Sequence, residues 1–181
     1  MKKSIRWITE TAVLLALLIS LQAITKPLGQ LVTGSCVNAI LAVAVLVGGL
    51  GSGLTVAVIS PVLAFLLGIA PQILTVPVIM IGNAVYVLLL RCLADLTGKK
   101  AMQNIFAWMI AAGAKFAVLY FLVAKVICGL LSQTLMDAGT LKAPMLTALP
   151  ATFSWPQLFT ALIGGGIALL ITPILRKALR K

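Results

Sequence analysis

The sequence predicts an all-α integral membrane protein, a bundle of six transmembrane helices with both termini cytoplasmic, and three observations predict it. Of 181 residues, 62% are hydrophobic and only 9% charged, with a mean hydropathy of +1.19, too little charge to coat a soluble domain. The apolar residues form continuous runs long enough to cross about 30 Å of hydrocarbon. The basic residues gather at one side of those runs.

The runs place spans near 7–25, 36–50, 52–70, 73–91, 103–128 and 155–175. Helices follow from burial in lipid, where every backbone group must be satisfied within its own segment. The runs are too long and too continuous for the alternating strands of a membrane barrel. Six spans leave only short connections, so residues 1–181 are expected to form a single transmembrane domain.

The opening, MKKSIRWITETAVLLALLISLQAIT, has the basic head and apolar run of a secretory signal. Its run is long for a signal core, Glu10 interrupts its start, and five later spans need a first one to orient them, so it is read as span one. Ala12, Ala16 and Ser20 recur every four positions there, a smooth stripe that lets another helix approach closely.

The segment KPLGQLVTGSCVN (26–38) is either an ordinary exterior turn or a stretch folded back to offer backbone and hydroxyl groups to a cavity. GGLGSG (48–53) predicts a tight turn between spans two and three, and Ser60-Pro61 a bend in span three. Gln72 precedes span four at the outer face, and Asn83 sits near its middle, available for helix–helix hydrogen bonding or for ligand contact. Residues 129–154, moderately apolar with Pro144 and Pro150, read as a lid more than a flexible linker. Trp155 is an interfacial anchor or a stacking surface. Gly164, Gly165, Gly166 and Ala168, with Gly49 and Gly53, serve close packing.

With alternating spans, Lys2, Lys3, Arg6, Arg91, Lys99, Lys100, Arg176, Lys177, Arg180 and Lys181 fall on one side and only Lys26 and Lys142 on the other. Ten against two marks the first side as cytoplasmic and makes the number of spans even. The net charge of +11 therefore records orientation; no basic stripe with interleaved aromatics supports a nucleic-acid partner.

Catalysis has little to draw on. The chain has no histidine, only three scattered acids (Glu10, Asp95, Asp137), and no strand-turn-helix context for a nucleophilic serine. Cys36, Cys92 and Cys128 form no C-x-x-C pair and read as small apolar fillers, with a Cys36–Cys128 disulfide at the outer face left open. No enzymatic activity, metal site or cofactor is expected. No phosphate-binding loop is present, so ATP-driven work would need another subunit.

Two lysines remain, in AAGAKFAVLYFLVAKV (111–126). Lys125 lies toward the outer surface, where its stem can snorkel to the headgroups, although it can also serve a site. Lys115 lies about 18 Å up span five, near the bilayer centre, where a charge costs on the order of 3 kcal/mol. No acid matches its depth, which leaves an anionic ligand, a cavity of water and carbonyls, or a deprotonated amine.

Six spans with termini inside, A-V-L-L-A (12–16) on the first, and LVTGSCVN, LVGGLGSG and ISPVLAFLLGIAP in succession resemble the substrate-binding S component of energy-coupling factor (ECF) transporters across essentially the whole chain. The resemblance implies capture of a vitamin or vitamin precursor from outside and delivery with a transmembrane T component and two cytoplasmic ATPases, in a bacterial plasma membrane. It implies docking of Ala12 and Ala16 on the T component, with Ser20 extending the same stripe. It implies substrate binding by Thr33, Ser35, Asn38, Gln72, Asn83, Lys115 and Lys125. Nothing in the sequence names the vitamin; Lys115 suggests an anionic one. A stand-alone secondary transporter would usually carry coupling acids or an internal repeat within its spans, and a ligand-free membrane scaffold would leave Lys115 unmotivated.

Overall fold

The computed structural model describes residues 2–69, 72–96 and 101–179. Lys99, Lys100, Arg180 and Lys181, counted above for orientation, lie outside the described residues, as do the side chains of Lys2 and Lys3. The helices are α1 (Lys2–Thr25), α2 (Gln30–Gly48), α3 (Leu50–Leu66), α4 (Val76–Leu96), α5 (Ala101–Tyr120), α6 (Ser132–Asp137), α7 (Met145–Thr152) and α8 (Trp155–Ala178). Beyond Tyr120, α5 continues in a wider π winding over Phe121–Leu130, where the Leu131 amide reaches back five residues to the Val126 carbonyl at 2.8 Å. No strand occurs among the described residues.

Five segments are long and apolar enough to cross a bilayer: Ile5–Leu28, Gln30–Gly48, Ile73–Asp95, Ile105–Leu130 and Met145–Ala178. The remaining expected span corresponds to Leu50–Leu66, whose 17 residues rise only about 25 Å. The second span begins earlier than its apolar run suggested. Residues 30–38, expected as a loop, are the first turns of α2, because Gly34, Ser35 and Asn38 pack against α8 and tertiary contact overrides their weak helix propensity.

Local chemistry ends the helices where the topology needs it. Gly49 separates α2 from α3 at φ +86°, which an L side chain rarely adopts. At the end of α3, Gly68 (φ +69°) lets the amides of Leu67, Gly68 and Ile69 bond the carbonyls of Leu63, Phe65 and Ala64 at 3.0, 2.9 and 2.8 Å, satisfying the last turn. Pro61 sits inside α3. Pro156 opens α8, where its missing N–H costs nothing.

Both chain ends share one end of the bundle: the Arg6 guanidinium donates to the Leu179 carbonyl at 3.1 Å. Arg176 donates to the Leu46 carbonyl there at 2.6 Å, which brings the α2–α3 turn to the same terminal end. The opposite, loop end holds the turn at Lys26–Leu28, tied to the α3–α4 connection by Lys26 Nζ on the Gly68 carbonyl at 2.8 Å. It also holds the segment with α6 and α7.

α2 is the central helix. Ile40 through Leu46 are all buried, and Leu41, Val45, Leu18, Val56, Val87 and Leu90 form the middle of the main core. Large apolar side chains such as Ile24, Leu66, Leu170 and Ile174 point outward, the surface a hydrocarbon solvent accepts. A second, smaller cluster joins Val78, Leu119, Val123, Ile127, Leu141, Leu149 and Phe153, so residues 129–154 are anchored through Leu141, Leu149 and Phe153.

Glycines set the closest approaches. A Cβ on Gly164 would run into the backbone carbonyl of Ser35 and lie 2.7 Å from the Ala39 nitrogen, so α2 and α8 touch through main chain. A Cβ on Gly165 would strike the Trp108 indole and lie 2.5 Å from the Tyr86 hydroxyl. Trp108 Nε1 and the Tyr86 hydroxyl both donate to the Ala161 carbonyl, at 3.2 and 3.4 Å. Gly164→Val should therefore lower stability by about 1–3 kcal/mol or prevent folding, whereas Gly113→Ala, with nothing within 4 Å of the added carbon, should be neutral or stabilising. Thermal melting of the purified variants in detergent checks the contrast.

Candidate functional site

A cavity of about 350 Å³ lies at the loop end, walled by α1, α2, α4, α5, α7, α8 and the α3–α4 connection. That size falls at the small end of the range for ligand pockets. Its depth follows from helix geometry: Asn38 is eight residues into α2 and Asn83 seven into α4, so both sit about 10–12 Å below the loop end.

At that level the Lys115 amine donates to Asn38 Oδ1 at 2.6 Å and to Asn83 Oδ1 at 2.7 Å. The lysine is 3% exposed, and each asparagine 1%. Its Nζ also lies 5.5 Å from the centroid of the buried Tyr86 ring, one helical turn beyond Asn83, a cation–π distance. The sequence reading found no acid at this depth, and the structure supplies two neutral amide oxygens from two other helices instead.

The orientation of Asn38 is fixed by its surroundings. Its Nδ2 donates to the Gly34 carbonyl one turn back at 2.8 Å and to Thr160 Oγ1 at 3.2 Å, and the Thr160 hydroxyl donates to the Gln157 carbonyl at 3.1 Å. With the nitrogen spent on acceptors, the oxygen must face Lys115. Gly34 makes this possible, since a Cβ there would lie 2.7 Å from Thr160 Cγ2. Asn83 is less satisfied: its oxygen meets Lys115, and its Nδ2 is buried without a partner.

The cavity wall carries Lys115 and Lys26 and no carboxylate among the described residues. Glu10 and Asp95 pair with Arg6 and Arg91 one turn away at 2.7 and 2.8 Å, and Asp137 accepts from Gln133 at 3.1 Å. The rest of the wall mixes carboxamides and hydroxyls with the aliphatic Val37, Ile69, Ile79, Leu119 and Leu149, and Phe153 is its one aromatic side chain among the described residues. Positive potential in a low-dielectric recess favours an anion.

Of the residues the sequence singled out, Thr33, Asn38, Gln72, Asn83 and Lys115 line this cavity. Ser35 and Lys125 do not. Ser35 is buried, with its hydroxyl turned back to the Leu31 carbonyl at 2.6 Å, because its face of α2 lies against Gly164. Lys125 is exposed on the π-wound part of α5, the placement expected of a snorkelling lysine. Trp155 is exposed and stacks on Phe116, with ring centroids 5.5 Å apart, away from the cavity wall. Cys36, Cys92 and Cys128 are free.

Sequence reasoning missed Gln22, Lys26, Thr75, Thr152 and Gln157 on the wall. Gln22 and Gln157 carried the same signal that marked Asn83, a carboxamide inside an apolar span. Ala12, Ala16 and Ser20 are all exposed along α1, so the small-residue stripe faces away from the bundle.

These features define a multi-pass membrane protein with a polar, cationic recess at one end, the form of a substrate-binding transport subunit. The sequence model described as "ECF transporter, substrate-specific component" matches residues 6–176, and the chain belongs to that family, one of transporter subunits and not of enzymes. Searches of curated proteins and of solved structures find no match.

Asn38→Leu removes one acceptor from Lys115 and strands Thr160, while Asn83→Leu removes an acceptor and deletes an amide that is itself half unpaired. Both should destabilise by about 1–2 kcal/mol, Asn38→Leu by more, as read by thermal melting in detergent.

Proposed function

We propose that the chain is the substrate-capture subunit of an ATP-driven micronutrient importer, binding a vitamin or vitamin precursor with an anionic group in the loop-end cavity. In this reading the loop end faces outward. The terminal end, where Arg6, Arg176 and Lys177 lie, faces the cytoplasm of a bacterial cell. The short helix Leu50–Leu66 completes six spans of a single transmembrane unit, with neighbouring helices and local thinning of the bilayer making up its length.

The observation that carries the proposal is Lys115, a buried amine at the cavity floor with two protein acceptors and no acid beside it. Its remaining N–H can meet the anionic group of a substrate, and Asn83 Nδ2 can add a neutral donor beside it. The low-dielectric setting strengthens that attraction, although desolvation offsets part of it. Thr33 and Gln72 supply further polar contacts higher on the wall.

The chain carries no phosphate-binding loop, so ATP hydrolysis falls to two cytoplasmic ATPases and coupling to a transmembrane T component, as family membership implies. The exposed stripe of Ala12, Ala16 and Ser20 suits close helix approach and is assigned to the T component.

Two measurements test these roles. Lys115→Met should weaken binding of the compound retained on purification at least tenfold in a calorimetric titration while leaving membrane insertion intact; unchanged affinity removes the lysine from the site. Ala12→Leu or Ala16→Leu should leave binding unaltered but block uptake in cells that also carry the T component and ATPases; normal uptake contradicts the docking assignment.

A further inference from the structure

Four buried side-chain polar atoms without a partner belong to residues of the cavity wall: Gln22 Oε1, Gln72 Oε1, Thr33 Oγ1 and Asn83 Nδ2. Among the described residues only one other such atom occurs, Thr172 Oγ1, on a residue outside that wall. A buried polar group left unpaired loses the hydration it had in water and gains no bond in return. The concentration of these atoms around one cavity locates where a bound molecule can relieve that cost.

They sit at two levels. Asn83 lies with Lys115 at the floor. Gln72 precedes α4 and Gln22 lies three residues before the end of α1, so the two glutamines stand about 5–10 Å nearer the loop end. Between the levels Val37, Ile79 and Leu119 give the wall an aliphatic side, and Phe153 is the one aromatic face available for stacking. Rotation of a carboxamide exchanges acceptor for donor, and a hydroxyl serves as either. The upper level therefore calls for an uncharged group that both donates and accepts.

Resting on the capture reading above, we infer that the substrate class is a slender two-ended acid: a carboxylate at the floor against Lys115 and Asn83, a saturated middle, and a neutral amide or polyol-type end held by Gln22, Gln72 and Thr33. With Phe153 alone, the wall offers a flat polycyclic ligand aromatic stacking on one side at most, which favours the slender chain.

The test uses four probes on the purified wild-type protein in nanodiscs, by calorimetry: suberic acid monoamide, octanoate, which lacks the polar end, suberamide, which lacks the charge, and 2-naphthoate, a flat acid. The monoamide should bind at least tenfold tighter than each of the others. Gln22→Leu and Gln72→Leu should erase its advantage over octanoate, and Lys115→Met should weaken both. The wild-type comparison among probes stands even where a variant does not fold. If octanoate or 2-naphthoate binds as tightly as the monoamide and still depends on Lys115, the two-ended class is overturned while anion capture survives. If no acid binds in a Lys115-dependent way, the inference and the capture reading fall together.

Discussion

An amine buried in the middle of an apolar bundle needs acceptors, and the structure is arranged around the two it finds. Lys115 on α5 reaches Asn38 on α2 and Asn83 on α4, so three helices meet at one nitrogen. Asn38 passes the constraint on to α8 through Thr160. In lipid, helix association gains little from apolar contact, because the solvent is as apolar as the side chains. Hydrogen bonds between helices and close approach must carry it, and this node supplies the first.

Close approach comes from glycine. Gly34, Gly164 and Gly165 remove the Cβ atoms that would hold α2, α5 and α8 apart. Removal of bulk at Gly34 lets Thr160 reach Asn38, and removal at Gly165 makes room for Trp108 and Tyr86, whose ring lies beside the lysine. Packing and polar chemistry are thus one arrangement: the contacts that draw the helices together also aim the amide oxygens.

Much of this was legible in the sequence. Continuous apolar runs gave helices, because backbone in hydrocarbon has no other solution, and the isolated Lys115 and Asn83 stood out as costly exceptions within them. The start of α2 was not legible, since Thr33, Gly34, Ser35 and Asn38 have the local preferences of a turn and become helical only through their contacts with α8. The partner of Lys115 was missed for a related reason. A search for charge found no acid, whereas two neutral carboxamides far apart in the chain serve as well once the fold brings them together. Lys125 was already set apart from Lys115 in the sequence by its place toward the outer surface, and it lies exposed on the π-wound stretch, outside the cavity wall.

The small apolar cluster beneath α7 is separate from the large one around α2. Both clusters draw on α4 and α5, through Tyr86 and Ala111 in the large one and Val78 and Leu119 in the small one, so these two helices tie the loop end to the main core. Leu119, Leu149 and Phe153 belong both to that small cluster and to the wall of the recess, so whatever disturbs the cluster reshapes the recess with it.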